Sequence, residues 1–266
     1  MKQIENILVN MFHKKPAFLY TIPGFHRNFQ SVYKLGRQQI LVKEYNSKKD
    51  LKREVFFYEM FGKNKLIITP LFYGHEKNVG CFEFIESDSK GDLFVGIEDW
   101  ARVHSCFLKS NELNNPIMAN HKSKNLPEYV LNHEKEFPKI SKQIAEVLQS
   151  ESYQNFKTLI HGDLEKRNIL IKNNKNCYID FEFTGRGHPL RDLSLLLLNH
   201  PQDKEKIISM YRKKISFDYE NIEKDTKKEL FIKAVQLIAE MKNINLPSKR
   251  KKNIHTRFLK VMDSYL

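Results

Sequence analysis

Two short stretches constrain this chain more than any others: His161-Gly162-Asp163-Leu164-Glu165-Lys166-Arg167-Asn168 and, shortly after it, Tyr178-Ile179-Asp180-Phe181-Glu182. They set an acid, an amide side chain five positions on, and a second acid beyond a strand–turn–strand pattern. Ile169-Leu170-Ile171 reads as one strand and Asn174-Lys175-Asn176 as the turn. Cys177-Tyr178-Ile179 reads as the returning strand, which delivers the Asp180 carboxylate from its end. An amide carbonyl and a carboxylate are hard oxygen ligands of the kind Mg²⁺ prefers. The earlier carboxylate, Asp163, suits the acceptance of a proton from a hydroxyl.

This block resembles the aminoglycoside phosphotransferase and choline kinase family of small-molecule kinases, which writes its catalytic loop H-G-D-x-x-x-x-N. Protein kinases carry Arg after the His and D-F-G at the metal-binding Asp, where this chain has Gly162 and Asp180-Phe181-Glu182. The family continues with a Gly-rich turn, G-x-P and an Asp-Leu pair opening a buried helix. Gly185-Arg186-Gly187-His188-Pro189-Leu190-Arg191-Asp192-Leu193 follows that pattern, with His188 where an Asp is common.

The resemblance implies an α+β, protein-kinase-like, two-lobed fold. Residues 1–86 would form a small β-sheet N-lobe that binds nucleotide, and residues 87–266 a larger helical C-lobe. It implies Asp163 as the catalytic base, Asn168 and Asp180 as metal ligands, ATP or GTP as donor with Mg²⁺, and a small-molecule hydroxyl as acceptor. His161 is expected to order the loop by hydrogen bonding to backbone. Asp192 is expected to cap its helix and brace the catalytic loop. Lys166 and Arg167 either stabilise the transferring group or face solvent, and both readings stay open.

Upstream, Ile4, Ile7, Leu8, Met11 and Phe12 have helical spacing, and strands are expected at 18–22, 31–35 and 39–45. Pro23-Gly24-Phe25-His26-Arg27-Asn28-Phe29 lies between the first two strands, where such folds drape a loop over phosphates. Gly24, Arg27 and Asn28 are its candidate nucleotide contacts, and a plain hairpin turn is the competing reading. Lys43, late in the third strand, would reach the α- and β-phosphates and pair with Glu54 on the following helix, with Glu44 and Glu59 as the other candidate acids. Leu66–Tyr73 and Gly80–Ile85 read as the next strands. Phe84, Ile85 and Glu86 would then form a hinge whose backbone reads the adenine edge, and Ser87–Gly91 a linker.

Helical spacing returns at 94–108, where Trp100-Ala101-Arg102-Val103-His104 matches the family's Ala-x-x-His helix end. His104 is expected to be a packed structural histidine. Residues 109–127 read as a loop, 129–148 as a helix, and 192–198 as a buried helix that is apolar nearly all round. Three amphipathic helices are expected at 203–214, 219–242 and 253–265.

The net charge of +13 is spread along the chain, with one dense run at Lys249-Arg250-Lys251-Lys252, so a nucleic-acid partner is not expected. Three scattered cysteines without a C-x-x-C pair argue for buried thiols in a reducing cytoplasm. No stretch reaches the roughly 18 apolar residues of a membrane span. A cytoplasmic protein without a membrane partner follows, either monomer or dimer.

The acceptor is not named by these residues. Glu182, Asp218, Glu220 and Glu223 are the candidate acids for a cationic acceptor and are few among many lysines, which argues against a polycationic aminoglycoside. Phe181, Phe183, Tyr211 and Tyr219 are candidates for an aromatic wall. Two other readings stay open: a kinase acting on a protein or another macromolecule, and a nucleotide-binding pseudokinase regulator.

Overall fold

The alternation in Gln39-Ile40-Leu41-Val42-Lys43 sends Ile40 and Val42 to one face of a strand, and Leu41 and Lys43 to the other. The computed structural model describes residues 2–22, 29–86, 90–120, 157–217, 222–223, 225–226 and 229–230. In it the alternating segment is β3 (Gln38–Glu44), the middle strand of a five-stranded antiparallel sheet. β1 (Ala17–Ile22) and β2 (Phe29–Leu35) lie to one side of it, and β5 (Val79–Glu83) and then β4 (Phe72–Glu76) to the other. Ile40 and Val42 pack with Tyr33, Leu35, Val79 and Cys81 against Ile4, Ile7 and Leu8 of the leading helix α1 (Lys2–Phe12). Each such apolar side chain contributes about 1.5–3 kcal/mol when fully buried.

The helix α2 (Lys48–Asn64) starts where Ser47 accepts hydrogen bonds from the Lys49 and Asp50 amides at 3.1 and 3.4 Å. Its buried residues Leu51, Glu54, Val55, Phe57, Tyr58 and Phe61 recur at three- and four-residue spacing. One acid is therefore carried inside an otherwise apolar stripe.

The chain packs as two compact units, Met1–Gly96 with Lys166–Thr184, and Ile97–Glu165 with Gly185–Leu266. The sheet unit thus includes the hairpin of β8 (Ile169–Lys172) and β9 (Lys175–Tyr178), which pairs Ile169 with Tyr178 and Lys172 with Lys175. Asn173 and Asn174 turn that hairpin with φ of 51° and 59°. These are the two left-handed positions of a type I′ turn, which Asn tolerates. The turn therefore falls one residue earlier than the expected Asn174-Lys175-Asn176, and Lys175 and Asn176 belong to the strand.

The expected strand Leu66–Tyr73 is not formed over most of its length. Pro70 has no N–H for a ladder, and the strand β4 begins only at Phe72. Ahead of it Ile68 makes a single parallel bridge to Cys177. Of the expected linker, residues 90 and 91 are described, and both are tied to the hairpin: Lys90 bridges Leu170, and the Gly91 amide donates to the Ile169 carbonyl at 2.8 Å.

In the second unit β10 (Gly185–Gly187) runs parallel to β6 (Ala119–Asn120) and antiparallel to β7 (Thr158–Ile160). The helix α3 (Leu93–Phe107) begins in the first unit and continues in the second. α4 (Leu190–Asn199) is buried at Leu190 and from Asp192 to Leu198, and α5 (Lys204–Lys214) follows. The expected helix at 129–148, most of those at 219–242 and 253–265, and the basic run 249–252 lie outside the described residues. Cys81 and Cys177 are buried and Cys106 is exposed, a departure from three buried thiols. Burial pushes the Cys81 and Cys177 thiols up to about 12. Among the described residues no helix is long and apolar enough to cross a membrane.

Gly91 is a sensitive point of the first unit. A Cβ there would collide with Ile169 Cγ2 and lie 2.7 Å from Asn176 Oδ1. That Oδ1 accepts from the Asp92 amide at 3.0 Å, while Asn176 Nδ2 donates to the Asp92 carbonyl at 2.7 Å. Gly91→Ala is expected to lower unfolding free energy by about 1–3 kcal/mol, through overpacking against this clamp, as read by urea denaturation.

Candidate active site

Strand alternation and helical periodicity bring one base and one acid together in the first unit. Lys43 faces away from α1 and reaches Glu54, the acid in the buried stripe of α2, with Nζ 2.8 Å from Oε1. Lys43 is 3% exposed and Glu54 0%, so neither charge has water to fall back on. The same Nζ lies 3.0 Å from Asp180 Oδ1, making a carboxylate–ammonium–carboxylate chain. Burial opposes the charge on Lys43, but Asp180 and Glu54 outweigh it and hold its pKa well above the ordinary lysine range. The other candidate acids do not fill this role: Glu59 is exposed, and Glu44 lies on the opposite face of β3 from Lys43.

Two tyrosines that the sequence reading passed over complete the cluster. Tyr45 is two residues beyond Lys43, hence on the same side of the extended chain, and its hydroxyl donates to Glu54 Oε2 at 2.5 Å. Burial, with Glu54 beside it, holds the Tyr45 hydroxyl protonated with its pKa well above the ordinary tyrosine range. The Tyr58 hydroxyl is hydrogen-bonded to the backbone of Asp180. The period-2 rule applied one step past Lys43 would have found Tyr45; nothing local pointed to the partner of Tyr58.

Asp180 sits at φ 70° and ψ 60°, a left-handed conformation that Asp tolerates better than most residues. Its neighbours hold it there. The Ile179 amide donates to the Asn168 carbonyl at 3.1 Å, and the Phe181 ring packs on Tyr58 and Phe61 with centroids 5.0 and 5.3 Å away. The β8–β9 hairpin thereby brings Asn168, which is buried, and Asp180 to its open end. An amide and a carboxylate there are a partial ligand set that suits Mg²⁺, which keeps several waters and is usually shared with phosphates.

Phe84, Ile85 and Glu86 follow β5 outside the ladder, and Phe84 stands edge-on to Tyr20 with centroids 6.3 Å apart. The start of this segment is anchored by Glu83, whose Oε2 accepts from the Leu71 amide at 2.9 Å and from Lys172 at 2.5 Å. Gly24, Arg27 and Asn28 lie outside the described residues.

The second unit holds Asp163 and its supports. Gly162 has φ 81°, a value that favours glycine, and the turn it makes aims two successive amides at one carboxylate. The His161 N–H donates to Asp192 Oδ2 and the Gly162 N–H to Asp192 Oδ1, each at 2.8 Å. Burial opposes the Asp192 charge, but hydrogen bonds from His104 and the His161 backbone outweigh it and hold the carboxyl below its usual range. The Asp163 amide donates to His161 Nδ1 at 3.3 Å, and the His161 ring stands edge-on to Trp100. Asp192 thus braces the loop, as expected, through its side chain. It makes no side-chain cap to its own helix, whose cap position is Pro189.

Lys166 and Arg167 are exposed. The proposed aromatic wall does not assemble from its described members. Phe181 is core and Tyr211 is bonded to His104, whereas Phe183 is on the surface. Of the candidate acids, Glu223 is exposed and paired with Arg212 at 3.5 Å, and the Glu182 carbonyl accepts from Arg53 at 3.0 Å. Asp218, Tyr219 and Glu220 lie outside the described residues. His188 is buried, accepts from the Leu190 amide at 3.4 Å, and lies 3.8 Å from buried Glu229.

Residues 116–224 match the model of the phosphotransferase enzyme family. No curated protein sequence matches the chain. Choline kinase LicA from Streptococcus pneumoniae is similar in structure at 16% identity, covering 99% of each chain with a TM-score of 0.67, and another LicA structure holds AMP. Macrolide 2′-phosphotransferase type I aligns at 13% identity over 98% of this chain and 96% of its own, with a TM-score of 0.68. Amicoumacin kinase hAmiN, in complex with AMP-PNP, Ca²⁺ and Ami, aligns at 12% identity over 99% and 93%, with a TM-score of 0.72. The fold is thus the α+β, protein-kinase-like fold of the small-molecule phosphotransferases.

Tyr45 gives the sharpest structural test of the first unit. Tyr45→Phe leaves a buried carboxylate oxygen short of a donor. It is expected to cost about 1–3 kcal/mol of stability in urea titration.

Proposed function

We propose that this small-molecule kinase transfers the γ-phosphoryl group of ATP to a hydroxyl of a small molecule, using Mg²⁺. The observation that carries the reading is the buried Lys43–Glu54 pair extended to Asp180, with Asn168 tied to the Asp180 strand. The family match over residues 116–224, which includes Asp163, Asn168 and Asp180, supports it.

Phosphoryl transfer asks a protein mainly for positioning and charge stabilisation. Lys43 stays charged because two carboxylates flank it, and so can neutralise the α- and β-phosphates. Asn168 and Asp180 would hold Mg²⁺. When bound, the cation would offset charge on the β- and γ-phosphates. Asp163 orients the acceptor hydroxyl and takes its proton as the new O–P bond forms and the bond from the γ-phosphorus to the β,γ-bridging oxygen breaks, leaving ADP. Phe84, Ile85 and Glu86 would contact the base, and Gly24, Arg27 and Asn28 the phosphates. In this functional sense residues 1–86 serve the nucleotide, and residues 87–266 supply the catalytic loop and the acceptor site. The enzyme is expected to act in the cytoplasm, where ATP is abundant, as a monomer or dimer. Among relatives in structure, the acceptors in their names range from choline to macrolides and amicoumacin, so the acceptor of this chain is proposed only as a small alcohol.

ADP release with Mg·ATP, measured against a panel of small alcohols, amino alcohols, sugars and hydroxylated antibiotics, tests the reading. Asp163→Ala is expected to cut acceptor-dependent release by roughly 10²–10⁴-fold with nucleotide affinity nearly intact. Asp180→Ala is expected to weaken Mg²⁺-dependent nucleotide binding by about tenfold or more as well. Nucleotide binding without stimulation by any acceptor would point to a macromolecular acceptor or a regulator. Failure to bind nucleotide would overturn the reading.

A further inference from the structure

In the second unit the brace on the catalytic loop does not end at Asp192. His104 Nε2 lies 3.2 Å from Asp192 Oδ2, and His104 Nδ1 lies 2.9 Å from the hydroxyl of Tyr211 on α5. All three side chains are buried: Asp192, His104 and Tyr211 are each 1% exposed. The chain of contacts therefore runs Tyr211, His104, Asp192, then the amides of His161 and Gly162, the two residues before Asp163.

Proton placement follows from what each group can do. Asp192 already accepts from two backbone amides, one on each oxygen, so it faces His104 as a carboxylate, which only accepts. Nε2 must then carry hydrogen. In the neutral ring this leaves Nδ1 as an acceptor, and it meets the Tyr211 hydroxyl. Among the described residues that nitrogen is the hydrogen-bond partner of the Tyr211 hydroxyl, so pointing the hydroxyl hydrogen at Nδ1 satisfies both groups. Burial and the nearby Asp192 charge hold the Tyr211 hydroxyl protonated, its pKa well above the ordinary range, which keeps it a donor. The opposite tautomer would aim a bare Nε2 lone pair at a carboxylate oxygen.

We propose that Tyr211 is a positioning residue for phosphoryl transfer, holding His104 in the Nε2–H tautomer so that Asp192 keeps its oxygens on the His161 and Gly162 amides. This rests on the phosphotransferase reading above. Tyr211 touches neither Asp163 nor the reacting atoms; it acts through His104, and its removal should alter turnover more than nucleotide binding. The backbone frame also fits: the Thr158 hydroxyl donates to the His104 carbonyl at 2.7 Å, fixing the ring's anchor on α3 independently of Tyr211.

The test compares the full-length wild type, Tyr211→Phe, His104→Gln and the double variant. In protein labelled with ¹⁵N-histidine, the His104 signals are identified by their loss in His104→Gln. The wild type is expected to show one tautomer, with Nε2 protonated and Nδ1 bare, and Tyr211→Phe to lose that single pattern. Tyr211→Phe should lower kcat for acceptor-dependent ADP release about tenfold, with the KM for ATP within about twofold. A glutamine at 104 has no tautomer to lose, so adding Tyr211→Phe to it should cost less than about twofold. A His104 signal with Nδ1 protonated in the wild type would overturn the proposal. So would an unchanged tautomer and kcat in Tyr211→Phe, or equal losses in both backgrounds. If the wild type transfers phosphate to no small-molecule acceptor, the small-molecule kinase reading falls and the positioning role with it. The tautomer comparison then still shows separately whether the Tyr211–His104 clamp exists.

Discussion

The ammonium of Lys43, buried between Glu54 and Asp180, is the interaction on which the first unit depends. An isolated charge at that depth would be neutralised or expelled, since burying an ion costs several kcal/mol unless partners and hydrogen bonds offset it. The fold answers by recruiting elements far apart in sequence. β3 supplies Lys43, α2 supplies Glu54, and the turn after β9 supplies Asp180, while Tyr45 fills the second oxygen of Glu54. Removing one member leaves a buried charge without its counterpart, an effect on the order of 3–5 kcal/mol. The arrangement also places Asp180 in a left-handed conformation at the hairpin's open end, beside Asn168.

The second unit solves a different problem with the same chemistry. A loop carrying Asp163 must be rigid without its own secondary structure, and its amides need acceptors. Asp192 supplies both acceptors from inside an apolar helix, and Gly162 makes the turn that lets two consecutive amides reach them. His104 then takes a third lone-pair direction of that carboxylate, and Tyr211 meets the other nitrogen of its ring. A buried polar chain of this kind rigidifies only when every member is satisfied.

Local signals carried much of this. The acid–amide–acid spacing around a hairpin is written within twenty residues, and period-2 alternation put Lys43 on the face opposite the α1 contact. The Lys43–Glu54 pairing was implied by the family resemblance, and in the structure Glu54 is the acid carried in the buried stripe of α2. Where reading failed, the deciding partner was distant or a single residue overrode the pattern. Pro70 cut short an apolar run that looked like a strand, and Asn173 with Asn174 took the left-handed turn positions one step early. Tyr211 looked like a candidate for an aromatic acceptor wall, because its composition is visible in sequence and its partner, 107 positions away, is not. Gly24, Arg27 and Asn28 lie outside the described residues, so their expected role stays a proposal.

The most direct test of the account is the affinity for ATP with and without Mg²⁺, measured by titration calorimetry on the wild type and on Lys43→Met. The account predicts that the wild type binds ATP about tenfold or more tightly with Mg²⁺ than without, and that Lys43→Met loses at least about tenfold of the metal-dependent affinity. ATP binding that ignores both the metal and the loss of Lys43 would contradict it, and so would no binding at all by the folded wild type.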